Sequence, residues 1–89
     1  MAEDTTPEIG PDRTLLLVDD DEAFVKRLAK AMDKRGFQTE TAESVEAGKA
    51  IANVRPPAYA VVDLRLGDGN GLDVVEALHA RRPDCRVVV

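Results

Sequence analysis

Asp19, Asp20, Asp21 and Glu22 follow one another directly, and Asp63 stands alone at the end of a second apolar run. If the chain brings the two stretches together, three carboxylates, Asp19, Asp20 and Asp63, share one crevice. Like charges that close together either take up protons or gather a cation. The donors are hard oxygens, with no histidine or cysteine in either stretch, so the expected cation is Mg²⁺. A carboxylate beside bound Mg²⁺ can attack a phosphoryl donor, because the metal stabilises charge on the transferring oxygens. The product is an aspartyl phosphate, a known covalent route for this side chain.

The elements that must position these acids can be read around them. Leu15, Leu16, Leu17 and Val18 run unbroken into Asp19. That run is far too short for a membrane span and suits a strand over 14–18 buried on both faces, as in a parallel sheet. The stretch 58–63, AYAVVD, repeats the design and again ends in an acid. Either acidic stretch alone is accounted for by helix caps and solvated loop residues. At matching strand ends the two together favour a site.

Between the strands the pattern is helical. Over 21–35, Phe24, Leu28 and Met32 recur at four-residue spacing with Val25 beside them, and predict one apolar stripe. Asp20 or Asp21 caps its start, and Lys34, Arg35 and Gly36 close it. A weak edge strand is expected over 37–41. Ser44 caps a second helix over 45–53, with Val45, Gly48, Ile51 and Ala52 inward, and Arg55, Pro56 and Pro57 make a stiff break. Residues 64–71 read as a loop. A third helix spans 72–82 with Leu72, Val75 and Leu78 inward, Pro83 ends it, and a fourth strand begins at Arg86. Residues 1–12, with two prolines, a glycine and four acids, read as a flexible tail.

The order βαβαβαβ predicts an α/β fold with right-handed crossovers and a parallel sheet covered on both faces. In the flavodoxin-like order 2-1-3-4, strands one and three are neighbours, and ligands bind at their carboxyl ends. Asp19, Asp20 and Asp63 occupy those ends. The chain has 89 residues, one domain's worth, and is 44% hydrophobic, too apolar to be disordered. A net charge of −5 argues against this segment gripping nucleic acid or an anionic membrane. A single cysteine, Cys85, excludes an internal disulfide and fits a reducing compartment. With no signal-peptide pattern and no long apolar run, the expected location is the cytoplasm. The chain stops at Val89 inside an apolar run, which predicts a domain truncated in its fourth strand.

VDDDE after the first strand and VVDLRLGDGNGLDV around the third resemble the receiver domain of two-component response regulators, the CheY-like fold. The resemblance covers 13–89, and RPPAYAVVDLRL with DGNGLDVVE is most similar to the RegA/PrrA/ActR group of redox and photosynthesis regulators. It implies that Asp63 is the phosphoacceptor, charged by a sensor histidine kinase. It also implies that Asp20 binds Mg²⁺ directly, Asp19 mostly through water, and Arg65 through its backbone carbonyl. In that group a Fis-type helix-turn-helix, absent from this segment, binds DNA. The family's usual proline after the acceptor is missing; Gly67 stands there. The family's switch Ser/Thr and Lys, its last strand and its last helices find no counterpart in the sequence. The resemblance implies a phosphoacceptor and not an enzyme.

Two other readings stand beside it. A phosphorylation-incompetent fragment would act as an interaction module, self-associating through the edge formed by Val87, Val88 and Val89. A Mg²⁺-dependent phosphohydrolase usually needs a second aspartate two residues after its nucleophile, where this chain has Arg65. Arg65 itself reads as a solvated loop residue, or as a side chain that pairs with the site carboxylates. His79 reads as a surface residue near a helix C-terminus, since no second ligand lies at helical spacing. Cys85 reads as a small, partly buried filler. Gly67, Gly69 and Gly71 do not form a dinucleotide fingerprint and are expected to ease a turn. Glu22 and Lys26 form a helical i,i+4 pair.

Overall fold

The computed structural model describes residues 11–89. Four strands form one parallel sheet: β1 (Thr14–Val18), β2 (Gln38–Ala42), β3 (Tyr59–Val62) and β6 (Arg86–Val88), in the order β2-β1-β3-β6. The helices are α1 (Glu22–Lys34), α2 (Val45–Val54) and α3 (Leu72–Arg81). Between β3 and α3 lie two short strands, β4 (Arg65–Leu66) and β5 (Gly69–Asn70), paired antiparallel as a hairpin of their own. The expected order 2-1-3-4 is therefore found, with β6 as the fourth strand of the main sheet. The expectation of a plain loop over 64–71 is corrected by the hairpin.

Alternation along β1 explains why its apolar run is continuous. Leu15 and Leu17 point to one face, where they pack with Val25 of α1, and Leu28, Ala29 and Met32 close over them. Leu16 and Val18 point to the other face, into the larger cluster with Ala52 of α2 and with Val74 and Leu78 of α3. A central strand covered on both sides leaves no place for a polar residue until it emerges at its tip. At the far edge of the sheet, β2 (sequence QTETA) pairs, among the described residues, only with β1, as its polarity predicts.

The inner faces of two helices differ from expectation. In α1, Val25 is the buried residue and Phe24 is 42% exposed. Phe24 lies roughly 100° around the helix from Val25, so the stripe that meets β1 runs through Val25, Leu28, Ala29 and Met32. In α3 the buried pair is Val74 and Leu78, one turn apart, and Leu72 is 47% exposed. Helix ends follow local chemistry. Asp21 caps α1, its carboxylate accepting from the Phe24 N–H at 3.0 Å. Ser44 caps α2 through the Ala47 N–H at 3.0 Å. Gly36, at φ 95°, turns the chain out of α1, a conformation that β-carbon-bearing residues avoid.

Of the expected tail 1–12, residues 1–10 lie outside the described part. Asp12, near its end, is tied into the fold. Its carboxylate accepts from the Thr14 N–H (3.0 Å) and hydroxyl (2.6 Å) and pairs with Arg82 at 2.7 Å, 70 residues further along. Among the described residues no helix is long and apolar enough to cross a membrane.

Candidate metal and phosphoryl site at the sheet's carboxyl edge

The site is set by register. β1 and β3 pair with Val18 opposite Val62, so the next residue on each strand, Asp19 and Asp63, emerges at the same level. The Asp63 N–H donates to Val18 O at 2.8 Å and carries the β1–β3 pairing past the strand ends, and the Asp19 N–H donates to Ala42 O of β2 at 3.0 Å. Neighbouring strands lie ~4.8 Å apart, and Asp20 follows at the same edge. Carboxylate oxygens of Asp19, Asp20 and Asp63 all lie within 4.8 Å of one another. Asp19 and Asp63 are half-buried and Asp20 is exposed.

Short hydrogen-bonded turns fix the carboxylate orientations. Asp19 Oδ1 accepts from the Asp21 N–H at 2.9 Å, and Asp63 Oδ1 accepts from the Arg65 N–H at 3.1 Å. Each bond holds one oxygen and leaves the second for a cation. The α1 N-terminus, whose dipole favours negative charge, starts immediately after the cluster. On the α1 side, Asp19 and Asp63 form the polar end of a groove of about 290 Å³ walled by Phe24, Val25, Leu28 and Val61.

The donor set fits a hard divalent cation: three carboxylates, no nitrogen or sulfur ligand, and a half-open position facing solvent. Asp19, Asp20 and Asp63 would hold such a cation, directly or through water, and it would neutralise their mutual repulsion.

The 64–71 segment is anchored at three points. Its Arg65 end is bonded to Asp63, as above. At its other end the Gly71 N–H donates to Leu64 O at 2.8 Å, and the Leu72 N–H donates to Asn70 Oδ1 at 2.8 Å. In the middle, Asp68 reaches across to α2 and accepts from the Val45 N–H at 2.8 Å and the Glu46 N–H at 3.2 Å. Those two bonds lower the Asp68 pKa below its ordinary value. Asp68 was not singled out in the sequence, because its partners lie 22 and 23 residues away.

The remaining singled-out residues sit as follows. The Arg65 side chain is exposed, and among the described residues no ion pair joins it to the carboxylates. His79 is exposed, with Nε2 3.0 Å from Cys85 O, away from the site. Cys85 is buried in the larger core cluster, and burial pushes its thiol pKa up, which disfavours the reactive thiolate. Glu22 and Lys26 form the i,i+4 pair at 2.8 Å on the exposed face of α1.

An acidic triad at the switch point of a β2-β1-β3-β6 sheet is the arrangement of a receiver domain. Residues 15–89 match the family model of the response regulator receiver domain, and the chain belongs to that family. It is 76% identical over all 89 residues to the photosynthetic apparatus regulatory protein RegA of Cereibacter sphaeroides, covering 48% of that protein. It is 63% identical over 81 residues to the acid tolerance regulatory protein ActR of Sinorhizobium medicae, covering 91% of this chain and 42% of that one. The chain thus spans about half the length of the curated relatives it matches. Among solved structures, a response regulator from Burkholderia pseudomallei, containing a phosphorylated aspartic acid, a calcium ion and citrate, superposes with a TM-score of 0.80. That match has 30% identity and covers 85% of this chain and 45% of the other.

Proposed function

We propose that this chain receives a phosphoryl group on Asp63 from a sensor histidine kinase, with Mg²⁺ held by Asp19, Asp20, Asp63 and the backbone carbonyl of Arg65. The observation that carries the reading is the register that sets Asp19 opposite Asp63 and leaves three carboxylates within 4.8 Å. The phosphorylated aspartic acid and cation in the Burkholderia relative support it. Bound Mg²⁺ would neutralise the cluster and stabilise charge on the phosphoryl oxygens. The chain's own part is positional. The Arg65 N–H on Oδ1 fixes the Asp63 carboxylate, whose oxygen forms the new bond to phosphorus as the bond to the donor's nitrogen breaks. The electron pair of that broken bond stays on the donor imidazole. The step is a single transfer between proteins and not a catalytic cycle. Asp63 is followed by Leu64 and Arg65 and lacks the second acid that aspartate-nucleophile phosphohydrolases usually carry there.

The 76% identity to RegA across the chain supports a role in a cytoplasmic transcriptional regulator of the redox or photosynthesis kind. DNA contact would then fall to a segment other than this acidic one. The test is transfer from an autophosphorylated sensor kinase carrying labelled phosphate. Label should leave the kinase and appear on this chain in the presence of Mg²⁺, and it should not appear on the Asp63→Asn variant. Label appearing equally on both would refute the assignment.

A second reading rests on a separate observation. Val88 and Val89, at the β6 edge of the sheet, are 62% and 66% exposed. An apolar sheet edge of that kind pairs readily with another strand, so the 89-residue chain should self-associate through β6. Sedimentation showing a folded monomer at high concentration would refute this.

A further inference from the structure

We infer that Asp68 is a positioning residue for the metal site, holding the β4–β5 hairpin in place by clamping it to the N-terminus of α2. The inference rests on the receiver reading above, in which the Arg65 backbone carbonyl is a ligand. A backbone ligand has no rotamer to adjust, so its position is only as good as that of the chain around it. The hairpin that carries Arg65 has just two residue pairs, Arg65 with Asn70 and Leu66 with Gly69. A ribbon of that length does not hold its shape alone. Residues 67–70 are exposed, and in the strands themselves only Leu66 is buried.

What holds the outer half of the hairpin is Asp68. Its two carboxylate oxygens take the Val45 and Glu46 N–H groups at 2.8 and 3.2 Å. Those are two of the orphan donors at the first turn of α2, and the helix dipole favours the negative charge placed there. Ser44 satisfies a third donor, that of Ala47, from within the helix's own segment. The α2 start thus has two caps of different origin: Ser44 serves the helix alone, whereas Asp68 serves the helix and the hairpin together.

That division supplies the test. Asp68→Ala, Asp68→Asn and Ser44→Ala are made in the full-length protein. Thermal melting without metal, Mg²⁺ affinity by calorimetry, and phosphorylation rate at low and saturating Mg²⁺ are then measured. Both alanine variants should melt earlier than the unaltered protein. Only Asp68→Ala should weaken Mg²⁺ binding, by roughly tenfold as for other groups that orient metal ligands. Its slow phosphorylation at low Mg²⁺ should recover at saturation. Asp68→Asn, which keeps one acceptor oxygen, should fall between and carries the comparison if the alanine variant does not fold. Equal Mg²⁺ affinity in the Asp68 and Ser44 variants, with the unaltered protein binding normally, would overturn this inference alone. An unaltered protein that binds no Mg²⁺ would overturn the receiver reading and this one with it.

Discussion

Gly71 stands so close to the end of β3 that a β-carbon on it would lie 2.2 Å from the carbonyl oxygen of Asp63 and 2.9 Å from Val62 Cγ1. The start of α3 is thereby packed directly against the backbone of Asp63. No side chain fits between them, and the oxygen is backbone, which cannot swing away.

Gly71→Ala should therefore displace either α3 or the Asp63 peptide. The expected cost is about 1–3 kcal/mol, the range for forced overpacking. Urea unfolding should show a lower midpoint, and phosphorylation of the folded fraction should slow because the Asp63 backbone has moved.

Removing a charge from the cluster should stabilise the metal-free protein. Asp19, Asp20 and Asp63 crowd three like charges within 4.8 Å, and each pair repels by about 1 kcal/mol at that separation in a water-like dielectric. Asp63→Asn should melt higher than the unaltered protein without Mg²⁺ and gain less when Mg²⁺ is added. Scanning calorimetry with and without the metal reads both effects.

The Asp12–Arg82 tie makes a pH-dependent contribution. Bonds from Thr14 and Arg82 hold the Asp12 carboxyl at about 2, below its ordinary 3.8. A depressed folded-state value means that the stabilisation is present above pH 3.8 and is lost as pH falls toward 2. Its size should be about 1 kcal/mol or less, because the Asp12 side chain is 41% exposed and solvent screens the pair. Asp12→Asn should flatten that part of a stability-versus-pH curve by lowering stability in the neutral region by up to that amount, with little change below about pH 2.

The inner face of α3 can be tested by paired truncation. Leu78 is fully buried, whereas Leu72 is 47% exposed. Leu78→Ala should cost about 2–5 kcal/mol, and Leu72→Ala should stay within about 0.5 kcal/mol. Similar losses in denaturant midpoint for both would contradict the packing described.

These contrasts show what the sequence carries and what it does not. β1, the ends of α1 and α2, and the meeting of Asp19 with Asp63 were legible, because an apolar run that breaks into acids marks a strand tip without ambiguity. The parallel α/β sheet followed from the alternation of elements, and its order 2-1-3-4 is that of the flavodoxin-like arrangement. The exposed Phe24 and Leu72 were misread as inward. Phe24 stands beside buried Val25, and Leu72 stands two residues before buried Val74; apolar spacing alone does not say which of them meets the sheet. The hairpin over 65–70 was invisible because its anchor, Asp68, finds its partners on another element. The Asp12–Arg82 pair, 70 residues apart, was hidden for the same reason. Long-range polar contacts leave no local periodicity to read.

The central claim is that Asp63 accepts the phosphoryl group, and intact mass measurement tests it most directly. The protein is incubated with Mg²⁺ and acetyl phosphate beside an Asp63→Asn control, and the modified residue is located by peptide mapping. The account predicts one added phosphoryl group, mapped to Asp63, dependent on Mg²⁺ and absent from the control. A group of the same mass on Asp63→Asn, or one mapped to another residue of the unaltered chain, would contradict it.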